Sequence, residues 1–248
     1  MSGAGHPAAP LRAPVRAALR RTGRDGVTGG RALDHAVVRA GLGLVAGVDE
    51  AGRGACCGPL TAAACILPDR PLPELDGLTD SKQLSPAARE RLEPVIAEVA
   101  VAWAVVHVSA AEIDERGIQP ANTSAMRRAV AALDVRPGYV LTDALRVPGL
   151  TLPHLPVLKG DRVSRSISAA SVLAKVARDR VMVELDARYP GYGLAGHKGY
   201  GTKAHMASVS LHGGCPEHRY TYANVAAARA QWAAAGGRET EEEVTTQS

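Results

Sequence analysis

Three short, largely apolar runs, each ending at an acid or just before one, constrain this chain more than any other feature of its sequence. Leu44-Val45-Ala46-Gly47-Val48 runs into Asp49 and Glu50, Tyr139-Val140-Leu141-Thr142 runs into Asp143, and Leu155-Pro156-Val157-Leu158 stops just short of Asp161. Runs this short do not make helices and suit buried strands. Taken singly, each acid reads equally well as a strand end or a helix cap. Repetition is what points to a site. Carboxylates about 4 Å apart repel by roughly 4 kcal/mol at an effective dielectric near 20, so a cluster of them needs protons or cations. Carboxylate oxygens suit hard cations such as magnesium. Asp49 and Glu50 are adjacent and point to opposite faces of a regular strand, so both serve one site only where the strand is ending, which Gly52 makes feasible.

The remaining pattern reads as α/β. A helix is expected over about 31–40, and a strand over 60–67, antiparallel to the first because the intervening loop is too short for a helical crossover. Ser85-Pro86 opens a helix towards Glu98 with a break at Pro94. A strand over 101–108, helices over 110–116 and 121–133, a long helix over 164–188 and a helical extension from about 190 complete the order. Together they imply a mixed β-sheet flanked by helices, in one domain spanning 31–235. Residues 1–30, rich in Ala, Arg, Gly and Pro, read as a disordered basic arm, and 236–248 as a disordered acidic tail carrying Glu239, Glu241, Glu242 and Glu243.

Hydrophobic residues make up 46% of the chain, which excludes a largely disordered protein. No apolar stretch reaches the ~18 residues of a membrane span, and the first forty residues lack the apolar core of a secretory signal. A cytoplasmic protein without membrane contact, acting as a monomer, is expected. The net charge of +4 is compatible with a polyanionic partner without requiring one. Cys56, Cys57, Cys65 and Cys215 show no Cys-x2-Cys spacing, so they read as buried small residues rather than a zinc site or a disulfide framework.

Three further segments suit a phosphate-bearing ligand. Gly52 and Gly54 let backbone amides approach closely, with Arg53 between them for a phosphate. Ser164, Ser168, Ser171, Lys175 and Arg178 share one helix face, which serves either phosphate binding or close helix packing, and Arg165 in the first turn reads as exposed. His197-Lys198-Gly199-Tyr200-Gly201-Thr202-Lys203 sets two lysines and an aromatic ring in a flexible loop, a recurrent way to hold a nucleic-acid strand. His197 and His205 read as solvent or phosphate contacts rather than metal ligands.

With these residues in place, the sequence resembles bacterial ribonuclease HII over roughly Ala32 to Arg229. VAGVDEAGRG (45–54), DSKQLS (80–85), KGD (159–161), ISAASVLAKVARDR (167–180) and HKGYGT (197–202) occur in the family's order. The resemblance implies a ribonuclease H-like α/β fold. It also implies that Asp49, Glu50, Asp143 and Asp161 are catalytic and bind two magnesium or manganese ions. Gly52, Arg53 and Gly54 look like the loop that reads the ribose 2′-hydroxyl, and Tyr200 like the ring that packs on the sugar at the RNA-to-DNA junction. Lys82, Ser164, Arg165, Lys198 and Lys203 join them as substrate contacts. The family hydrolyses RNA in RNA/DNA hybrids and nicks 5′ of ribonucleotides embedded in duplex DNA, leaving 5′-phosphate and 3′-hydroxyl ends. Two departures stand out: Ala55-Cys56-Cys57 replaces a proline and small residues, and Ala144 follows Asp143 where glycine is usual. Asp134 competes with Asp143 for its role. A same-fold DNA nuclease and a non-catalytic nucleic-acid binder are the alternative readings. Cleavage of an all-DNA duplex would favour the first, and binding without cleavage the second.

Overall fold

The computed structural model describes residues 32–78 and 84–237. The expected basic arm, all of the expected acidic tail after 237, Lys82 and most of the 80–85 motif lie outside the described residues. In chain order the elements are α1 (Ala32–Arg39), β1 (Val45–Ala51), β2 (Leu60–Ile66), a 3-10 turn (Pro73–Leu75), α2 (Pro86–Val99), β3 (Ala102–Val108), α3 (Ala110–Arg116) and α4 (Ile118–Ala131). They continue with β4 (Tyr139–Asp143), β5 (His154–Val157), α5 (Gly160–Val163), α6 (Arg165–Arg188), α7 (Leu194–His197), α8 (Lys203–His212) and α9 (Ala223–Ala234). The strands form one sheet in the order β3-β2-β1-β4-β5, with β1 parallel to β4 and β4 parallel to β5. The expected α/β class and the helical C-terminal extension are both present. Among the described residues, no helix is long and apolar enough to cross a membrane.

Internal contacts divide the chain into two compact units. Among the described residues, the first holds those of 32–49, 63–105 and 126–173, and the second those of 50–62, 106–125 and 174–237. In the first unit Leu33 and Val37 of α1, Val45, Tyr139, Leu141 and Val157 of the sheet, and Ile167 of α6 pack into one apolar cluster. In the second, Cys57, Met182, Leu185, Leu194 and Cys215 form another.

Three expected boundaries move for local reasons. Pro94 sits inside α2 without ending it: Ser85 caps the first turn by accepting from the Ala88 amide at 3.2 Å, and buried Ile96 anchors the later turns. The helix expected from Ser164 begins one residue later. Ser164 has extended backbone and serves as the cap, its hydroxyl accepting from the Ile167 amide at 3.3 Å. The strand β1 runs on through Ala51, so Asp49 and Glu50 lie within its last three residues rather than past its end.

Gly47 in β1 sets how closely α6 packs on the sheet. A Cβ at this position would lie 2.1 Å from the Ser166 carbonyl carbon and 2.2 Å from the Ile167 amide nitrogen. These are backbone atoms, so a side chain cannot be accommodated by changing a rotamer. Gly47→Ala is expected to destabilise the protein by about 3 kcal/mol or more, measured as a fall in the urea midpoint; an unchanged midpoint would contradict this close packing.

Candidate active site

The β1–β4 ladder pairs Val45 with Tyr139 and Val48 with Thr142 in parallel register. Asp49 and Asp143 are therefore the next residues of neighbouring strands, at the same level and the same carboxyl end. On the other side of β4, Asp143 pairs with Val157 of β5, and the chain leaving β5 turns at once into α5, which carries Asp161. The turn is tied back to β4 by a hydrogen bond in which the Gly160 amide donates to Asp143 Oδ1 at 2.7 Å. Gly160 leaves room for that bond, since a Cβ there would meet Ile167 Cδ1 at 2.6 Å and Asp143 Oδ1 at 3.3 Å. The structure thus brings Asp49, Asp143 and Asp161 to one end of the sheet within the first unit. Asp49 and Asp161 are buried, and Asp143 is half-buried. Half-buried Glu50 follows Asp49 at the penultimate position of β1. Asp134, the competing acid, is exposed and lies past α4, off the strand.

The turn after Asp143 explains the usual glycine there: Ala144 has φ +52°, a left-handed conformation that costs an L-residue roughly 1–2 kcal/mol. The Ala144 amide nevertheless donates to the Val157 carbonyl at 2.9 Å, which holds the turn against β5.

Asp34, which sequence reasoning missed, organises the segment that carries Asp161. Its Oδ1 accepts from the Ser164 hydroxyl at 3.1 Å and from the Ser166 amide at 3.3 Å, while Oδ2 is buried without a hydrogen bond. Ser168 Oγ donates to the carbonyl oxygens of Asp161 and of Ser164. Ser164, Ser168 and Ser171 are all buried. The serine face of α6 therefore caps and packs, and it does not present hydroxyls to a phosphate. Arg165 is less open than expected. Its side chain is 14% exposed, donates to the Leu72 carbonyl at 3.5 Å and faces Asp76 at 3.8 Å.

The Gly52-Arg53-Gly54 loop belongs to the second unit and is built on two buried arginines. Arg219 donates to the carbonyls of Arg53 at 3.2 Å, Ala55 at 2.5 Å and Gly58 at 2.9 Å, and to the Tyr222 hydroxyl at 3.1 Å. Arg178, expected as the basic end of a phosphate-binding face, is 2% exposed and instead donates to the Pro59 and Cys57 carbonyls at 2.9 and 3.2 Å. Gly52 has φ +83°, and a Cβ on it would lie 1.9 Å from Arg178 Nε, so glycine is required there. Arg53 and Gly54 remain exposed. Tyr200 is 46% exposed, and a Cβ on Gly54 would be 3.9 Å from its Cε1, so the open loop and the open ring are neighbours. Lys203 is exposed and Lys198 half-buried.

His205 departs from expectation. It is fully buried, stacks on His197 with centroids 4.3 Å apart, and burial pushes its pKa down to about 4. His197 is tied to the Tyr192 carbonyl at 2.8 Å, and so neither ring is a solvent-facing phosphate contact.

Acids gathered at the carboxyl ends of parallel strands in the first unit, and a glycine-rich loop with an open aromatic ring in the second, define an α/β protein suited to cation-assisted phosphate chemistry. Comparison with known proteins is specific. The ribonuclease HII family profile matches residues 46–225. Ribonuclease HII of Corynebacterium jeikeium is 67% identical over 201 residues, covering 81% of this chain and 97% of its own. That of Rhodococcus erythropolis is 56% identical over 225 residues, covering 91% of this chain and 97% of its own. The fold is similar to that of ribonuclease H2 from Pyrococcus horikoshii, with a TM-score of 0.67 and 27% identity, covering 77% of this chain and 99% of that one. The chain belongs to the ribonuclease HII family. Its activity is that of a ribonuclease H, an endonuclease acting on RNA paired with DNA.

Burial raises the Asp34 pKa above the ordinary aspartate range, against the lowering effect of its bonds to Ser166 and Ser164. The folded state then binds this proton more tightly than the unfolded chain, so the contribution of Asp34 to stability is greatest in acid and is lost as pH rises through the raised value. Asp34→Asn keeps the Oδ1 acceptor and cannot ionise. Urea unfolding from pH 4 to 7 is expected to show the variant at least as stable as the parent at neutral pH, with the advantage shrinking on acidification. An advantage that grew in acid would contradict the assignment.

Proposed function

We propose that Asp49, Glu50, Asp143 and Asp161 jointly hold two divalent cations, magnesium or manganese. We propose further that the enzyme nicks duplex DNA on the 5′ side of an embedded ribonucleotide, besides cutting hybrid RNA. The register that sets Asp49 beside Asp143, with Asp143 bonded to the Gly160-Asp161 turn, is the observation that carries this reading. The donor set fits: every side chain in it offers carboxylate oxygen, the chemistry that hard cations take, and buried carboxylates near one another need positive charge. Bound there, such ions supply an acidified water and stabilise the departing oxygen of a phosphodiester.

The chain's own residues supply position. Asp143 is held by the Gly160 amide, and Asp161 by the Asp34–Ser164–Ser168 bonds around its turn. In the reaction, water oxygen bonds to phosphorus as the bond to the 3′ oxygen breaks, and a proton ends on that oxygen, leaving 5′-phosphate and 3′-hydroxyl ends. Only a ribonucleotide carries the 2′-hydroxyl by which the enzyme can choose its site. The exposed backbone of Arg53 and Gly54, fixed from beneath by Arg219, is the group we assign to read it. Tyr200 packs on the sugar, and Arg53, Lys198 and Lys203 meet phosphates.

The test offers a duplex with one ribonucleotide beside its all-DNA twin, with and without divalent ions. The expected result is a 5′-side nick in the first duplex only, and only with metal. Asp49→Asn should lower cleavage at least about a hundred-fold while hybrid binding survives. Gly54→Ala, whose Cβ makes only an ordinary contact with Tyr200, should unfold at the parent's urea concentration yet lose affinity for the ribonucleotide duplex. Equal cleavage by Asp49→Asn and parent, or nicking of the all-DNA duplex, would overturn the proposal.

A further inference from the structure

Three ligating side chains that ribonuclease chemistry does not use converge inside the second unit. Cys57, Cys215 and His218 are 0, 3 and 1% exposed, and the two sulfurs and one ring nitrogen all lie within 4.8 Å of one another. The backbone builds this meeting. Cys57 pairs with His218 in an isolated antiparallel bridge, and the Gly58 amide donates to the Glu217 carbonyl at 2.8 Å. Cys215 and His218 share one turn, closed by the His218 amide donating to the Cys215 carbonyl at 2.9 Å. That Cys-x2-His spacing went unread in the sequence because its third member lies far upstream.

The imidazole is set as a metal ligand requires. His205 Nδ1 is 3.0 Å from the Tyr200 carbonyl, to which it must donate, so its Nε2 accepts the proton of His218 Nε2, also 3.0 Å away. This leaves His218 Nδ1 unprotonated on the side of the sulfurs, where the Cys215 amide donates to it at 2.9 Å. A ligating histidine typically donates its second ring N–H to an acceptor, which fixes the tautomer, and here that acceptor is the His205 ring. Nδ1 lies 3.2 Å from Cys215 Sγ, close to the roughly 3.5 Å edge of a tetrahedron with Zn–S near 2.3 Å and Zn–N near 2.0 Å.

We propose that Cys57, Cys215 and His218 bind one zinc ion, as a centre separate from the carboxylates. Two thiolates neutralise a dication, so the complex is an uncharged unit buried beside Met182, Leu185 and Leu194. Thiolate and imidazole select zinc over the hard cations that carboxylates prefer. Metal entry exchanges the Cys215 amide contact at Nδ1 for the metal, and the fourth tetrahedral position falls to a water. The centre braces the segment next to the Gly52-Arg53-Gly54 loop. Cys56 and Cys57 amides both donate to the Gly199 carbonyl, at 2.9 and 3.2 Å, and the two-histidine chain ends on Tyr200.

The full-length protein, purified without chelator and dialysed into metal-free buffer, is analysed by plasma mass spectrometry, and a second portion is stripped with EDTA to give metal-free protein. Metal-free protein is titrated with cobalt. The expected result is about one zinc per chain and a sulfur-to-cobalt charge-transfer band. Both should be lost in Cys215→Ser and kept in Cys65→Ser, a buried cysteine outside the cluster. Should Cys215→Ser fail to fold, the cobalt spectrum of the parent decides alone. Zinc far below one per chain with no such band on titration would overturn the proposal. So would a thiol count on denatured parent showing a Cys57–Cys215 disulfide.

Discussion

Parallel pairing of β1 with β4 is the constraint on which the carboxylate site depends. Parallel strands end on the same side, so a register that sets Val48 against Thr142 leaves no freedom over where Asp49 and Asp143 go. Their mutual repulsion opposes folding, and the structure contains it by tying one member down: Asp143 accepts the Gly160 amide, and the same turn presents Asp161. Asp34 plays the corresponding part behind the turn. It is a buried carboxylate whose bonds to Ser164 and Ser166 start α6 at one fixed residue.

The second unit solves a different problem, that of fixing a loop whose outer side stays exposed. Arg219 and Arg178 are buried, and their donors are taken up by main-chain carbonyls from Arg53 to Pro59. A buried guanidinium is costly unless its donors are satisfied, and these are met by main-chain carbonyls and the Tyr222 hydroxyl. The loop is thereby fixed from below, and its upper side, Arg53 and Gly54, stays exposed beside Tyr200.

Much of this was legible in the sequence, and the exceptions have physical reasons. Strand period and the acids at strand ends marked Asp49, Asp143 and Asp161, because a period of two and a following turn are local properties. The roles of Arg178 and Ser164 were misread because exposure is not local: a basic or hydroxyl residue on a helix face looks the same whether the face meets solvent or a carbonyl. Asp34, Arg219 and the Cys57–Cys215–His218 meeting were invisible for a related reason, since each acts on partners far along the chain. Ala144 was noticed only as a departure from family habit, and its φ of +52° supplies the reason for the habit.

The central claim is that Asp49, Asp143 and Asp161 act as one cation-binding group. A crystal soaked in manganese and measured at the manganese absorption edge tests it most directly. Anomalous density between these three side chains, with oxygens of each within coordinating distance, is the predicted result. Density absent from that end of the sheet at saturating manganese, with the three carboxylates turned apart, would contradict the account.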